Sequence, residues 1–420
     1  MKKIVALILT AALMITLAGC NKKNMEGKVY YLNFKPEQDA AWQDLADEYT
    51  EKTGVEVKVV TAAEGTYEQT LTAEIDKDVA PTLFQINGIV GLQSWKDYCM
   101  DLSGSKVYKE LISDDFAIKE GARVYGVGYV YESYGLITNK KLLKKAGYEI
   151  EDITSFEKLK KVAEDITKRK SELGFSAFAS SGLASSSSWR FSGHLVNLPL
   201  FYEFRDRMIT EQPSTLKGTY NSNLKNIWDL YIRNSTVEPS LLTNEQNDAA
   251  EEFKKEKAVF YQNGTWEYNN VKAIGEENLG FLPIYFGVDD EKMGLCSGTE
   301  NYWAVNNNAS EADKMATLDF LAWVVTSEEG TEALAEDMGF TAPFKAAKTV
   351  DNKLSEIADK YVKEGKYSVT WAFSATPNVE AWRSAFVDAL AAYSAGKGEW
   401  KAVENAIVNG WAEQYQQSKQ

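Results

Sequence analysis

The sequence predicts an α/β protein with more than one hydrophobic core. Between residues 29 and 86, strand-like apolar runs alternate with segments of helical spacing, which is typical of a sheet covered by helices. The chain has 420 residues, more than the ~250 to 300 at which a single core stops growing. Hydrophobic residues make up 44% and charged residues 25%, as in globular proteins. We therefore expect two folded lobes.

The first elements follow from apolar spacing. Residues 29–34 are predicted to form a strand, and residues 39–52 a helix that ends at Gly54, because glycine tolerates left-handed backbone. The β-branched run 55–60 predicts a second strand. The same alternation continues with a helix at 68–77 and strands at 83–86, 125–131 and 134–138.

The rest of the chain is richer in helix signals. Ser155 is expected to start a helix whose apolar face contains Leu159, Val162 and Ile166. The Ser-rich segment 179–188 is predicted to be a functional loop rather than a domain linker. Further predictions are a strand at 258–261 and helices at 220–233, 249–257, 311–326, 328–338, 354–363, 381–395 and 400–417.

Composition excludes several classes of function. The chain has 46 Lys and Arg against 61 Asp and Glu, a net charge of −15, which argues against nucleic acid as a partner. One His and three Cys make a His/Cys metal site or a His-dependent catalytic triad improbable, so we expect neither a metal nor a cofactor. Aromatic residues reach 12%, with 11 Trp, and such rings can cover the apolar faces of sugars.

The N-terminus has the order of a secretory signal. Lys2 and Lys3 precede an apolar run at 4–17, which is shorter than the ~20 residues that span a membrane. The alternative is a buried core helix. Residues 17–20, LAGC, resemble the lipobox of bacterial lipoproteins. This resemblance implies a signal peptide at 1–19, lipid on Cys20, a tether at 20–27, and a soluble body on the extracellular face of the membrane.

Two other cysteines remain after Cys20 is assigned to lipid. Cys99 and Cys296 are about 200 residues apart. An extracellular chain permits a disulfide, but the sequence leaves open whether these two thiols are bridged.

Four short motifs then follow one another in a recognisable order. They are TEKTGVEV at 50–57, GLITNKKLL at 135–143, QNGTWE at 262–267 and GTENYWAV at 298–305. In this order they resemble the extracellular solute-binding proteins of ABC transporters, in the carbohydrate-binding family that includes maltodextrin-binding protein. Thr138 departs from that family's pattern, which has Tyr there.

This resemblance implies a two-lobe fold of the periplasmic-binding-protein type. Each lobe is expected to be a mainly parallel sheet flanked by helices, with the ligand in the cleft between them. The implied N-terminal lobe is 28–138 plus 299–342, and the C-terminal lobe is 139–298 plus 343–420. The chain is expected to cross between lobes near 136–139, 296–303 and 338–346.

A sugar offers a C–H face and a rim of hydroxyls, so its site needs aromatic platforms beside carboxylates, amides and Arg. Trp266 matches the family's Trp in QNGTWE, which implies a platform; the alternative is a Trp in the core. Trp382, with Arg383 beside it, resembles a second platform, although its spacing with Phe386 fits a core face equally well.

Charged and polar candidates come from several segments. Glu132 matches a family carboxylate that binds hydroxyls, and it could instead be a surface residue. Lys35 is placed like one residue of a charged pair near the family's cleft. Pro36 replaces the second charged residue of that pair, so Glu37 is expected to supply the missing carboxylate. The other expected ligand-binding residues are Gln85 and Asn87 at a strand end, Trp189, Arg190 and His194 after the Ser-rich loop, Glu300, Asn301 and Tyr302 on a crossing strand, and Trp371 with Phe373 in a loop before Pro377. A lone His is more often structural.

The implied function is capture of an oligosaccharide, most simply a malto-oligosaccharide, by a monomer that delivers it to the permease subunits of an ABC importer. A raffinose-type α-galactoside is the second choice. A glycosidase using Glu132 and Glu300 is a competing interpretation, although the sequence contains no nucleophile elbow, P-loop or zinc signature. A peptide or polyamine binder is the third.

Overall fold

Two mixed β-sheets, each covered by helices, make up the fold in the computed structural model of the chain. The structure describes residues 27–63, 65–209 and 211–419. The expected signal peptide, Cys20 and all of the tether except Gly27 lie outside the described residues. None of the described helices is both long enough and apolar enough to cross a membrane.

Twelve strands form the sheets within these described ranges. Numbered along the chain, they are β1 Val29–Asn33, β2 Val57–Thr61, β3 Leu83–Asn87, β4 Ala117–Glu120, β5 Arg123–Gly128, β6 Glu132–Asn139, β7 Ser176–Phe178, β8 Ala258–Gly264, β9 Leu279–Leu282, β10 Met293–Gly298, β11 Asn301–Val305 and β12 Tyr367–Val369.

The α-helices cover both sheets. In chain order they are α1 Asp39–Thr53, α2 Tyr67–Glu74, α3 Gly88–Trp95, α4 Lys106–Lys109, α5 Lys140–Lys145, α6 Phe156–Lys168, α7 Lys170–Leu173, α8 Asn197–Arg207, α9 Asn221–Arg233, α10 Ala249–Lys254, α11 Tyr268–Val271, α12 Glu311–Thr326, α13 Glu328–Glu332, α14 Lys353–Lys363, α15 Val379–Ser394 and α16 Trp400–Gln417. Segments Arg190–Leu195 and Ala333–Asp337 form π-helical turns.

The first sheet has the strand order β2-β1-β3-β11-β5-β4. Strand β1 pairs in parallel with β2 and β3, whereas β11 runs antiparallel to β3 and β5. The second sheet has the order β12-β10-β6-β8-β7, with β9 on β6. There β6 is antiparallel to β8, β9 and β10.

The two-lobe α/β fold is confirmed, but the sheets are mixed rather than mainly parallel. The expectation extended the βαβ order of residues 29–87 to both lobes. It was wrong because strands that enter a lobe from the other one arrive antiparallel: β11 returns beside β3, and β6 enters beside β10.

Each sheet has its own apolar cores. Around the first sheet, the clusters draw on residues 29–130 and 303–344, including Trp42 and Trp303. Around the second, they draw on residues 134–296 and 354–411, including Trp228 and Trp411. Separate burial of this kind lets the lobes move as two bodies joined by crossing segments.

The first crossing lies earlier than expected. Strand β6 belongs to the second sheet from Glu132 to Asn139, so the chain leaves the first sheet after Gly128, not near 136–139. All eight residues of β6 are buried, so no change in polarity along the strand indicates where the chain crosses between the lobes. The second crossing lies between Gly298 and Asn301. The remaining expected lobe limits stay predictions.

Both remaining cysteines are buried free thiols. Cys99 lies in a first-lobe cluster and Cys296 in the largest second-lobe cluster. A disulfide between them is therefore not formed. Burial raises the pKa of both thiols to about 12, so they are unreactive packing residues.

Candidate functional site

A buried ion pair joins the two sheets at the centre of the cleft. Lys35 follows β1, and its Nζ lies 2.8 Å from Oε1 of Glu132, the first residue of β6. The other carboxylate oxygen of Glu132 accepts a hydrogen bond of 3.0 Å from Nδ2 of Asn301 on β11. Residues from three chain segments thus meet where the chain passes between lobes.

The charge of Lys35 is held by its carboxylate neighbours. Burial disfavours the ammonium, but the carboxylates of Glu132 and Glu37 outweigh that effect and raise the pKa of Lys35 above its usual value. Glu37 lies 3.7 Å from the Lys35 nitrogen. The expected pairing of Lys35 with Glu37 is therefore present in the structure, although Glu132 is the closer partner.

The polar network continues along the first sheet. Gln85 on β3 donates to Oδ1 of Asn301 at 2.8 Å and to Oδ1 of Asn87 at 2.7 Å. Its own side-chain oxygen accepts from the hydroxyl of Tyr129. Since each amide is oriented by a neighbour, this wall of the cleft is fixed before a ligand arrives.

Aromatic rings form the facing wall, which belongs to the second lobe. Trp266 lies 5.7 Å from the stacked ring of Tyr134 and 6.0 Å from the ring of Trp189. Lys35 Nζ lies 5.4 Å from the centre of the Trp266 ring. Trp266, which the QNGTWE motif predicts to be a platform for a sugar, is only partly buried. Part of its ring therefore remains available to a ligand.

His194 is at the centre of this aromatic wall. Its imidazole stacks on Tyr134 at 4.2 Å and lies 5.2 to 5.3 Å from Phe373 and Trp371. Burial, with Arg383 and Lys35 nearby, holds its pKa well below the usual 6.5, so it is neutral at physiological pH. The buried Nδ1 of His194 and Nε1 of Trp371 have no hydrogen-bond partner among the described residues.

Carboxylates line the part of the cleft next to Arg383. Burial raises the pKa of Glu300 to about 6, with Arg383 and Lys35 opposing and the Glu132 charge adding to the rise. Burial also raises the pKa of Glu68, which accepts from Nε1 of Trp95 at 2.9 Å and is influenced by Arg383. Glu68 on α2 was not among the expected site residues.

The lobes touch each other across the cleft at two glycines. A Cβ placed on Gly65 would lie 2.8 Å from the carbonyl oxygen of Ser185, and one on Gly88 would lie 3.0 Å from Cβ of Ser374. Both glycines have positive φ. The Ser-rich loop therefore contacts the first lobe at the edge of the cleft, and its functional role stays a prediction.

Three expected site residues are placed elsewhere. Trp382 is 1% exposed, stacks on Phe386 and donates to the carbonyl of Ile407, so the core alternative was right. Tyr302 lies on the face of β11 opposite Asn301 because side chains alternate along a strand, and its hydroxyl donates to Thr299. Arg190 is buried behind the wall, where it donates to the carbonyl of Ser180.

Sequence reasoning missed two residues that form or support the aromatic wall. Tyr134 donates to the carbonyl of Arg190, and Gln262 donates to the Tyr134 hydroxyl. Phe373, which was expected at the site together with Trp371, lies within 6 Å of Arg383. The available signal was that Tyr134 lies in a predicted strand and Gln262 in the QNGTWE motif. Strands β6 and β8 pair, with Tyr134 opposite Gly264 and Leu136 opposite Gln262, which brings the two side chains within hydrogen-bonding distance.

The sequence matches a known protein family over most of its length. Residues 44–364 match the family described as bacterial extracellular solute-binding protein. The chain belongs to this family. Among its curated relatives is the multiple sugar-binding protein of Streptococcus mutans serotype c, 25% identical over 321 residues that cover 70% of this chain and 71% of the relative.

Solved structures of the solute-binding family agree with the fold. The T. maritima MalE3 protein with bound maltose has a TM-score of 0.69 at 16% identity, over 93% of this chain and 99% of that one. The RafE protein in complex with raffinose has a TM-score of 0.72 at 16% identity, over 92% of this chain and 99% of that one. These similarities show a shared two-lobe architecture.

Proposed function

We propose that this protein captures an oligosaccharide between its lobes and hands it to the permease subunits of an ABC importer. The observation that carries the proposal is the pairing of two walls across one cleft. One wall is the hydrogen-bonding network around Glu132 and Asn301, and the other is the aromatic surface around Trp266 and His194. A pyranose ring has one chemistry for each wall.

The arrangement supports binding rather than hydrolysis. A glycosidase needs one carboxyl group that gives up a proton and a second that is free to act as base or nucleophile. Both oxygens of Glu132 are occupied, one by the Lys35 ammonium and the other by the Asn301 amide. Among the described residues, no group of three or more His, Cys, Asp or Glu is placed to hold a metal ion.

A malto-oligosaccharide is our first choice of ligand and a raffinose-type α-galactoside the second. The sequence motifs favour the first, and the similar structures hold maltose in one case and raffinose in the other. The relative in Streptococcus mutans is named for binding multiple sugars. We further propose that the protein acts as a monomer held to the extracellular face of the membrane by lipid on Cys20.

Isothermal titration calorimetry against a panel of neutral oligosaccharides tests this function. We expect one site per chain, micromolar affinity, and an unaltered sugar when the complex is chromatographed after long incubation. A panel that contains malto-oligosaccharides, raffinose, xylo-oligosaccharides and chito-oligosaccharides separates the ligand classes. Failure to bind any of them would refute the proposal, and cleavage products would replace it with the glycosidase alternative.

A further inference from the structure

A cavity lies between the lobes next to Trp266, and it shares Glu37 with the central polar network. It has a volume of about 380 Å³, which is within the range of roughly 300 to 1,000 Å³ of ligand sites. The first lobe contributes Glu37 and helix α1 up to Asp44. The second lobe contributes Trp266 and the two amides of Asn269 and Asn270, and Asp337 completes the lining.

The cavity is continuous with the proposed sugar site because the two share residues. Trp266 belongs both to the aromatic wall and to the cavity lining. Glu37 lines the cavity and pairs with Lys35 of the central network. A glycan that lies on Trp266 therefore has room to continue past it, whereas the lobe contacts at Gly65 and Gly88 involve none of the residues lining this cavity.

The size of the cavity sets the length of that continuation. A hexose residue in a chain is smaller than the 380 Å³ of the cavity. The cavity thus has room for at least one more sugar ring.

The charge of the lining sets the kind of ring. Three carboxylates, those of Glu37, Asp44 and Asp337, face the space, and none of the described lining residues is Lys or Arg. Two lysines that contact lining residues already have partners, since Lys35 pairs with Glu132 and Glu37, and Lys272 donates to Asn269. An anionic ring would meet like charges here, while hydroxyls or an amine would find acceptors.

We propose that this cavity is an end subsite that takes one neutral or amine-bearing sugar ring and rejects a ring that carries a carboxylate, phosphate or sulfate. The inference rests on the proposed function and adds a minimum ligand length and a charge rule to it. It assigns Asp44 and Asp337, neither of which belongs to the central site, as specificity-determining residues.

Calorimetry with matched di- and trisaccharides tests the length rule. The probes are maltose against maltotriose and melibiose against raffinose. We expect the trisaccharide of the bound pair to bind at least about tenfold more tightly than its disaccharide. Ala40→Trp, which fills the cavity from an exposed position on α1, should bring that ratio close to one. The matched control Ala402→Trp, at an exposed site on α16, should leave the ratio as in the wild type.

The charge rule is tested with the same trisaccharide after oxidation of a terminal C6 to a carboxylate. We expect the wild type to bind the oxidised form about tenfold more weakly, and Asp44→Asn with Asp337→Asn to remove most of that difference. Equal affinity for the two forms, or a length ratio that survives Ala40→Trp, would overturn the inference while leaving the proposed function intact. If the bound sugar is a xylo- or chito-oligosaccharide, its own di- and trisaccharide replace these two pairs. If no oligosaccharide of the panel binds, the proposed function fails and the inference fails with it.

Discussion

Replacing Glu300 with Gln should make the protein more stable at neutral pH. Glu300 follows β10, and burial raises its pKa from 4.5 to about 6. The charged groups that face it are Arg383 from α15, Lys35 after β1 and Glu132 at the start of β6. The two cations do not fully offset burial and the neighbouring carboxylate, so the folded protein holds the Glu300 proton more tightly than the unfolded chain does.

The size and sign of the effect follow from that shift. A carboxyl group with a raised pKa stabilises the fold below pH 4.5, and this contribution is lost as the pH rises through about 6. The shift of about 1.5 pKa units corresponds to about 2 kcal/mol at ~1.36 kcal/mol per unit. Glu300→Gln keeps the shape and has no such penalty. The variant should therefore gain about 2 kcal/mol relative to wild type between about pH 4 and pH 7.5.

Urea denaturation of both proteins across this pH range measures the difference. The free energies of unfolding should run parallel below pH 4.5 and diverge above it, with the variant higher. Glu413→Gln, at an exposed position on α16, is the matched control and should show no divergence. A gap between Glu300→Gln and wild type that stays constant with pH would refute the reasoning, as would a gap that closes at neutral pH.

Four further substitutions test ligand binding, core packing, lobe closure and membrane anchoring. Trp266→Ala should weaken sugar binding by roughly 1 to 3 kcal/mol with little loss of stability, whereas Trp382→Ala should lower the free energy of unfolding by about 3 to 5 kcal/mol. Calorimetric titration and thermal melting of both variants measure these effects, and the reverse pattern contradicts the two assignments. Gly88→Ala should reduce the ligand-induced decrease in radius of gyration, measured by X-ray scattering, because its Cβ meets Ser374; an undiminished decrease would argue against this contact. Cys20→Ala should move the protein from the membrane fraction to the medium with unchanged sugar affinity, and retention would exclude the lipid anchor.

Elements with strong periodicity or clear end signals could be predicted from the sequence. Helices α12 and α16 have the predicted bounds, Gly54 ends α1 at φ 79°, and Ser155 caps α6 by accepting from the Lys158 amide. The helix Asn197–Arg207 was missed. Six of its first seven residues are buried, so it has no polar face along that stretch, and Pro199 in its first turn reads as a helix breaker.

A residue of the candidate site could be predicted where it lies at the end of a predicted strand or within a recognised motif. Gln85 and Asn87 were named because strand ends collect at one edge of a sheet, and Asn301 because it lies on a crossing strand. Glu68 was not named, because nothing local distinguishes a carboxylate that faces the other lobe from one in solvent. Trp382 shows the converse error. Its spacing with Phe386 predicted a core face, and the family resemblance outweighed that local signal although the local signal was correct.

The two walls of the cleft differ in how much hydrogen-bonding capacity they leave for a ligand. In the polar wall, Glu132, Asn301 and Gln85 are already bonded to one another and to Lys35. In the aromatic wall, the buried Nδ1 atom of His194 and the buried Nε1 atom of Trp371 have no hydrogen-bond partner in the part of the chain that the structure describes. An unsatisfied buried polar atom destabilises by about 1 to 3 kcal/mol. A ligand hydroxyl that reaches either atom recovers part of that energy without breaking an existing bond, whereas one that binds Glu132 has to compete with Lys35. The ligand should therefore be selected mainly by the aromatic wall, with the polar wall fixing the geometry in which the lobes close.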